Sequence, residues 1–595
     1  MLVDVVSPGG AVRRLDLLSL LGPDDEERAH EEAYAWIKAL RRLRVEGATF
    51  RSRFTFRGDS LWWFAELYLH KDQAIHAAMR IIRAVDRLVE RDAPRTVRFV
   101  SGARADVLAQ AAAARGLAYE GPSAGGDAAL ISLDARAVRL AAMARLSRLR
   151  ARPLPDAPAR IAAFVHSAFW RRGVTDGGAE SYIGPILRAL EARAGADAIA
   201  YVGIGPRMNF RARRWWAPLT AAAPHGIVPI ERFAPRRAMR ASSEVHAARH
   251  RMRQQMTSSA DVRAHAVIRG VDCWALVQRQ LAGVALLQFP WSARAMDEAA
   301  AALAAIRPEV AVTYAEAGGW GRALALEARR AGVPLAGLQH GFIYRHWLNY
   351  RHEPDEMEPD PDQPDDRGFP RPAKTLLFDD YAANYLEQAG RFPREAIAVT
   401  GSARLDELMA AVAALQPADL DEARRLAGVG DGQTLLVFAA KEREARGVLP
   451  ALVAAVRDEP RVQMAIKPHP AETARVYETV VAGAGNVRVL APQTPLPPLL
   501  GAARGLVTVN STVAVDALAL GLPSLVIGLP NNLSPFVDAG LMLGARTPEE
   551  IPQGLSRLLY DQEFHRRLES TRPAVAGTAA ATSADAILAL RHVRS

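Results

Sequence analysis

Short runs of β-branched and aliphatic residues alternate with longer stretches rich in alanine, leucine and arginine along almost the whole chain, and no other feature constrains its fold as tightly. Parallel strands need a crossover of a dozen or more residues, most often a helix, so the alternation predicts the α/β class, with parallel sheets covered by helices. In the first half TVRFV (from Thr96), AIAYVG (from Ala198), VALLQF (from Val284), VAVTYAE (from Val310) and PLAGLQHG (from Pro334) read as strands, with helices at Asp297 to Ala305 and Gly321 to Ala331. The rhythm restarts with TLLFDD (Thr375), AIAVTG (Ala396), TLLVFAA (Thr434), VQMAIKPHP (Val462), VRVL (Val487), GLVTVN (Gly505) and SLVIG (Ser524). At 595 residues, half of them hydrophobic, the chain exceeds what one core supports, roughly 250 to 300 residues. Two doubly wound domains facing a cleft are the expected architecture.

The segment Glu353 to Asp366 holds eight acids and four prolines, a composition that neither packs nor continues a helix. It is expected to be a linker or mobile loop within 351–372, dividing an N-terminal acceptor domain (1–350) from a C-terminal nucleotide-donor domain (373–575), with a closing helix over 576–595. Between Arg207 and Arg253 eleven arginines stand against two acids, Glu231 and Glu244, with Trp215 and Trp216 adjacent. This reads as an insertion at about 206–260 in the first domain.

The single cysteine, Cys273, excludes an intrachain disulfide and any zinc site built from several thiolates, and reads as a core residue in a reducing compartment. The start MLVDVVSPGG lacks the basic region and apolar run of a signal peptide, so a cytoplasmic protein is expected. The most apolar window, from Val513, is interrupted by Asp516, Pro523 and Ser524 and reads as helix, turn and strand rather than as a membrane span. A net charge of +10 predicts contact with something acidic. No nucleic-acid recognition motif accompanies it, so no specific nucleic-acid partner is expected. Arg213, Arg214, Trp215 and Trp216 are instead expected to dock peripherally on an anionic membrane, or on an acidic polymer, at the inner face of the cytoplasmic membrane.

Four places carry chemistry. In GLVTVNSTVAVDALALGLP a strand gives way to Asn510, Ser511 and Thr512 and then to a helix, whose free N–H groups and neighbouring hydroxyls suit nucleotide phosphates. Asp516, four residues after Thr512, shares that helix face, where a carboxylate accepts from ribose hydroxyls. IKPHP sets Lys467 and His469 at the carboxyl end of a strand, the edge at which open α/β sheets bind ligands, with prolines fixing the turn. Lys441 follows the strand TLLVFAA; in a chain with five lysines and a large excess of arginine, Lys441 and Lys467 fall on one rim and mark a need for a compact ammonium. Between the domains, His340 in LQHG and Glu316 before Gly318-Gly319 are candidates for a general base or for orienting an acceptor. Asp360-Pro-Asp362 has no strand to fix its carboxylates, so no metal site and no cofactor are expected.

QHG, TGSARLDEL (from Thr400), KPHP and NSTVAVDALALGLP (from Asn510), in that order over roughly Val310 to Gly528, resemble GT-B enzymes of bacterial surface-polysaccharide assembly. The resemblance is to the capsule polysaccharide transferases, the polysialyltransferase-like proteins and the CDP-glycerol glycerophosphotransferases. It implies two Rossmann-like domains and a metal-independent transferase moving a sugar, or a similar polar unit, from a nucleotide-activated donor to a polysaccharide or lipid-linked acceptor. It also implies donor phosphates at His469, Ser511 and Thr512 and ribose at Asp516, where the family usually has glutamate. Two alternatives stand beside it. A hydrolysing nucleotide-sugar 2-epimerase shares the fold, but its Gly-Gly-x-x-Glu-Glu helix start and His-Val-Glu-Ala-Gly segment are missing here. A non-catalytic nucleotide or polyanion binding protein is the second.

Overall fold

The computed structural model describes all residues except 123–126, 151, 152, 155, 172–178, 205–225, 315, 344–346, 364, 470, 471, 572–576 and 593–595. Three sheets of four or more strands organise the described residues. The N-terminal sheet holds β1 (Leu2–Val6), β2 (Val12–Asp16), β3 (Thr96–Ser101) and β4 (Ala118–Glu120) in the order β2-β1-β3-β4. Helices Pro23–Ala39, Trp62–Asp72 and Ala74–Asp92 pack beside it around the fully buried Trp62 and Trp63.

The second sheet is wholly parallel and has seven strands: β5 (Ile161–His166), β6 (Ile199–Ile204), β7 (Val228–Pro229), β8 (Val310–Tyr314), β9 (Leu335–Leu338), β10 (Lys374–Leu377) and β11 (Ile397–Val399). Its order is β7-β6-β5-β8-β9-β10-β11. The third, also parallel, has six: β12 (Thr434–Ala439), β13 (Val462–Ile466), β14 (Val487–Val489), β15 (Gly505–Thr508), β16 (Ser524–Ile527) and β17 (Leu543–Ala545), ordered β14-β13-β12-β15-β16-β17. Central strands such as LLVF and VQMAI are buried along their length, as strands covered by helices on both faces must be. Both sheets therefore run 3-2-1-4-5-6, the second with one strand more. In such a sheet the order reverses between its first and fourth strands, here β5/β8 and β12/β15, and the crevice opens outside their carboxyl ends.

The two doubly wound units expected from the sequence are present, with four differences. TLLFDD and AIAVTG, expected to open the second unit, hydrogen-bond into the seven-stranded second sheet, that of the first unit, as β10 and β11. VALLQF is not a strand: Val284–Gln288 is a wide π-type turn joining helices Trp274–Gly283 and Phe289–Ile306. All five of its residues are buried, and a helix buried all round has no apolar stripe to separate it from a buried strand. The acidic segment is packed rather than free: Glu356 is 0% exposed, and Asp360 and Asp366 are buried on Arg51. Finally, the part of the arginine-rich region that is described ends in helix Arg240–Ser258, which buries Val245 and Met256 against the first core. Arg213, Arg214, Trp215 and Trp216 lie outside the described residues. No described helix is long and apolar enough to cross a membrane. The closing helix, Ala579–Ala589, returns to the first unit: Ser583 Oγ lies 2.9 Å from Thr400 Oγ1, and the Ala579 N–H donates to Asp406.

Candidate active site

At the switch point of the third sheet, three loops leave adjacent strands on one edge. After β12 comes Lys441, exposed at the start of the short helix Glu442–Ala445. After β13 come Lys467 and His469. Lys467 is buried, and its ammonium donates to the carbonyls of Pro468 (3.0 Å) and Pro492 (2.7 Å), tying two loops together. Burial lowers its pKa. His469 is exposed on the rim, held below its ordinary pKa by partial burial first and by Lys441 next, with Lys467 adding to the effect and Glu472 opposing it. After β15, Thr508 Oγ1 donates to the Ala439 carbonyl (2.5 Å) and accepts from the Ser511 N–H (3.3 Å), which ties the Asn510 loop to the end of β12. Ser511 Oγ accepts from the Val513 N–H at 3.3 Å, Thr512 is exposed, and Asn510 Oδ1 is buried without a hydrogen-bond partner among the described residues. The crevice thus gathers Lys441, His469, Asn510, Ser511 and Thr512, with Lys467 behind them.

Asp516 sits in helix Val513–Ala519 and is 3% exposed. Both of its oxygens accept from Arg404, Oδ2 at 3.2 Å from Nη1 and Oδ1 from Nη2. Arg404 belongs to helix Ala403–Ala413, which starts where Ser402 accepts from the Leu405 N–H directly after β11. The pair therefore joins the connection after the second sheet's last strand to the third sheet's switch-point helix. Arg404 lies inside TGSARLDEL, so the signal for it was in the sequence.

The switch point of the second sheet carries a different set. β5 ends at His166, β8 at Tyr314 followed by Glu316, and β9 runs into His340. The His166 N–H donates to the Tyr314 hydroxyl (3.1 Å), and the rings of His166 and His340 each lie 5.5 Å from that of Tyr314. Tyr182 stacks edge-on to His340 at 5.8 Å, and its charge acts on Arg404, the partner of Asp516 in the other unit. Burial holds both histidines down to about 4, with His166 adding to the effect at His340, so both imidazoles are neutral at pH 7. His340 Nδ1 is buried and has no partner among the described residues. Beneath Tyr314, Glu180 accepts from the N–H groups of Tyr182 (2.6 Å) and Ile183 (2.5 Å), and burial pushes its carboxyl up.

Glu316 is 2% exposed. Its Oε1 accepts from the Tyr350 hydroxyl at 2.8 Å, while Oε2 is buried with no partner among the described residues. Burial pushes its pKa up to about 7, against the opposing hydrogen bonds of its own backbone and of Tyr350. The carboxyl lies flat on Gly337 of β9, where a Cβ would stand 2.7 Å from Glu316 Cγ, and the turn closes on Gly321, where a Cβ would stand 2.3 Å from Glu316 Cα. Any larger residue at either position would displace the acid. Phe342, just past His340, packs on Phe536 of the third-sheet unit with ring centroids 4.4 Å apart.

Below this edge lies a buried ionic network. Lys38 donates to Glu66 (2.5 Å) and Glu356 (2.6 Å), Arg322 pairs with Glu66, and Trp62 Nε1 donates to Glu356 (2.9 Å). Glu66, His352 and Glu356 place ligand atoms within 4.8 Å of one another, yet Lys38 and Arg322 already balance the two carboxylates, and a dication there would face two fixed positive charges. Sequence analysis assigned none of these residues a role at a site, and it also missed His166, Glu180, Tyr182 and Tyr314.

Among curated proteins none matches this chain in sequence. Among solved structures the fold is similar to UDP-GlcNAc 2-epimerase from Neisseria meningitidis bound to UDP-GlcNAc, at 15% identity and a TM-score of 0.39 over 50% of this chain and 81% of that one. It is similar to the wall teichoic acid polymerase TagF at 12% identity and 0.39, over 78% of this chain and 98% of that one. A calicheamicin glycosyltransferase gives 18% identity and 0.41, over 73% and 98%. Residues 436–532, the stretch from β12 through the Lys441, His469 and Asn510 loops to the turn after β16, match the family model for capsule polysaccharide biosynthesis proteins.

Proposed function

We propose that this protein is a transferase that moves a sugar, or a similar polar unit, from a nucleotide-activated donor to a cell-surface polysaccharide or lipid-linked acceptor, without a metal or other cofactor. The observation that carries the reading is that two switch-point crevices, one cationic and one lined by neutral imidazoles and a protonatable glutamate, meet at Tyr182, Arg404 and Asp516. In this reading the donor's phosphates sit against His469, Lys441 and the Asn510–Thr512 loop. Arg404, a partly exposed fork fixed by Asp516, adds a bidentate phosphate contact, and Asp516 acts mainly by holding it. His340 and Glu316 face the acceptor side, where a neutral imidazole or an ionised carboxylate takes the proton of an attacking hydroxyl. The matched family stretch supports placing the donor in the third sheet.

The deciding experiment adds CMP-, CDP-, UDP- and GDP-activated donors singly to the purified protein, with EDTA present, and reads thermal stabilisation and then transfer to an acceptor. Stabilisation by one nucleotide class and acceptor-dependent turnover are expected. Conversion of a nucleotide sugar without acceptor would favour an epimerase, and tight binding without turnover a silent binding protein.

A further inference from the structure

Helix Asp127–Arg150 is apolar on two sides. Ala137, Leu140 and Met143 are buried against Ala282, Leu286 and Leu287. On the other side Ile131 is 70% exposed, Val138 50% and Leu149 70%, with Leu146 beside them at 42%. Spacings of seven and eleven residues place Ile131, Val138 and Leu149 along one line of a helix with 3.6 residues per turn. These four residues are a third of the twelve large hydrophobic side chains exposed among the described residues, gathered on one helix. Single exposed apolar residues need no explanation, but a contiguous stripe marks a surface made for an apolar partner.

Next to the stripe a slot of about 470 Å³ opens between this helix, helix Arg240–Ser258 and the start of helix Phe289–Ile306. Leu140, Ala141, Ala144, Leu286 and Leu287 make its walls apolar. Arg145, Arg236 and Arg240 line it as exposed side chains and form no ion pair with a carboxylate among the described residues, against one exposed acid, Glu244. Deeper in, Arg148 and Arg294 are already committed to Glu298, so the uncompensated charge is at the mouth. An apolar slot under a cationic mouth, beside an apolar stripe, matches one chemistry: a phosphate headgroup on a hydrocarbon chain, presented by a bilayer. Trp291, on the slot wall, lies where a Cβ on Gly319 would be 2.8 Å from its ring, which puts this face next to the turn that follows Glu316.

We propose that helix Asp127–Arg150 docks the protein on an anionic phospholipid bilayer, with Ile131, Val138 and Leu149 in the interface and the chain of one phosphate-headed lipid in the slot, its phosphate on Arg145, Arg236 and Arg240. The inference stands apart from the transfer reaction, because its readouts are binding alone.

The test uses the full chain with vesicles of phosphatidylglycerol and phosphatidylcholine, and of phosphatidylcholine alone. The wild type sediments with the mixed vesicles, less so at high salt, since exposed charges are screened over about 8 Å at physiological ionic strength. Loss of three arginines in Arg145→Gln, Arg236→Gln, Arg240→Gln weakens binding to the mixed vesicles roughly a hundredfold. Ile131→Ser, Val138→Ser, Leu149→Ser abolishes sedimentation with the mixed vesicles. For the slot, native mass spectrometry from detergent retains one phosphatidylglycerol on the wild type and none on Ala141→Trp, and melting curves confirm that each variant is folded. Equal sedimentation of wild type and serine variant overturns the docking face. A lipid adduct retained on Ala141→Trp overturns the slot. If Ala141→Trp does not fold, Ala144→Leu takes its place.

Discussion

Arg404 closes a fork on Asp516, and that pair ties the helix leaving the first parallel sheet to the helix at the switch-point crevice of the other. Asp516→Ala would leave a partly exposed guanidinium without its counter-ion, and a charge-assisted bond of this kind is worth about 1.5 to 3 kcal/mol. The variant is expected to melt lower and to bind donor more weakly. In a double-mutant cycle with Arg404→Ala the two losses should not add, because they remove one interaction. Additive losses would mean that the residues act separately.

His469→Ala and Ser511→Ala should each weaken donor binding by about 1.5 to 3 kcal/mol, while His469→Ala leaves the melting temperature of the free protein unchanged, since that side chain is on an exposed rim. Calorimetric titration with the donor identified by thermal stabilisation reads this directly. Wild-type affinity in the His469 variant would take the phosphate role away from it.

Glu316 ties stability and activity to pH through one carboxyl. Its folded pKa, about 7, lies above the ordinary 4.5, so the folded state holds its proton more tightly. The stabilisation is complete below pH 4.5 and is lost as pH rises through 7, and a shift of this size corresponds to at most about 3 kcal/mol. Glu316→Gln removes the ionisation, so its melting temperature should exceed that of the wild type at pH 8 and equal it at pH 5.

The same acid, if it activates the acceptor, must be ionised to do so. The wild-type turnover should rise with pH through about 7, and Glu316→Gln should lose that step together with most of its kcat while keeping donor affinity. His340→Ala should depress kcat more than donor affinity as well. A pH profile that keeps its inflection in Glu316→Gln would return the acid to a structural role.

Lys38→Met leaves Glu66 and Glu356 buried with one cation between them, and breaking a buried pair from one side costs about 3 to 5 kcal/mol. Chemical denaturation should show that loss.

What the sequence made legible was chiefly what local pattern encodes. The strands from Val310 and Pro334 and all five from Thr434 onward stand where the β-rich runs predicted them, and Lys441, His469, Asn510, Ser511 and Thr512 gather on one edge because each follows a strand of one parallel sheet. What stayed hidden depends on partners distant in the chain. The run IAAFVH, alanine-rich and lying between helices, gave little strand signal, yet it is the central strand that ends at His166. The acids of Glu353 to Asp366 look solvated by composition, yet Glu356, Asp360 and Asp366 are buried, where a lysine and an arginine some three hundred residues earlier meet them. Nothing local says that TLLFDD joins the sheet before it rather than the one after.

The reach of that pairing also sets an order of events during synthesis. Lys38 and Glu356 are 318 residues apart. At 5 to 20 residues per second the ribosome delivers the glutamate roughly 15 to 65 seconds after the lysine. Throughout that interval the N-terminal helices carry Lys38 and Trp62 without Glu356, the carboxylate that accepts from both in the finished structure. The buried network around Lys38 is therefore completed only after five strands of the first long parallel sheet have already been made.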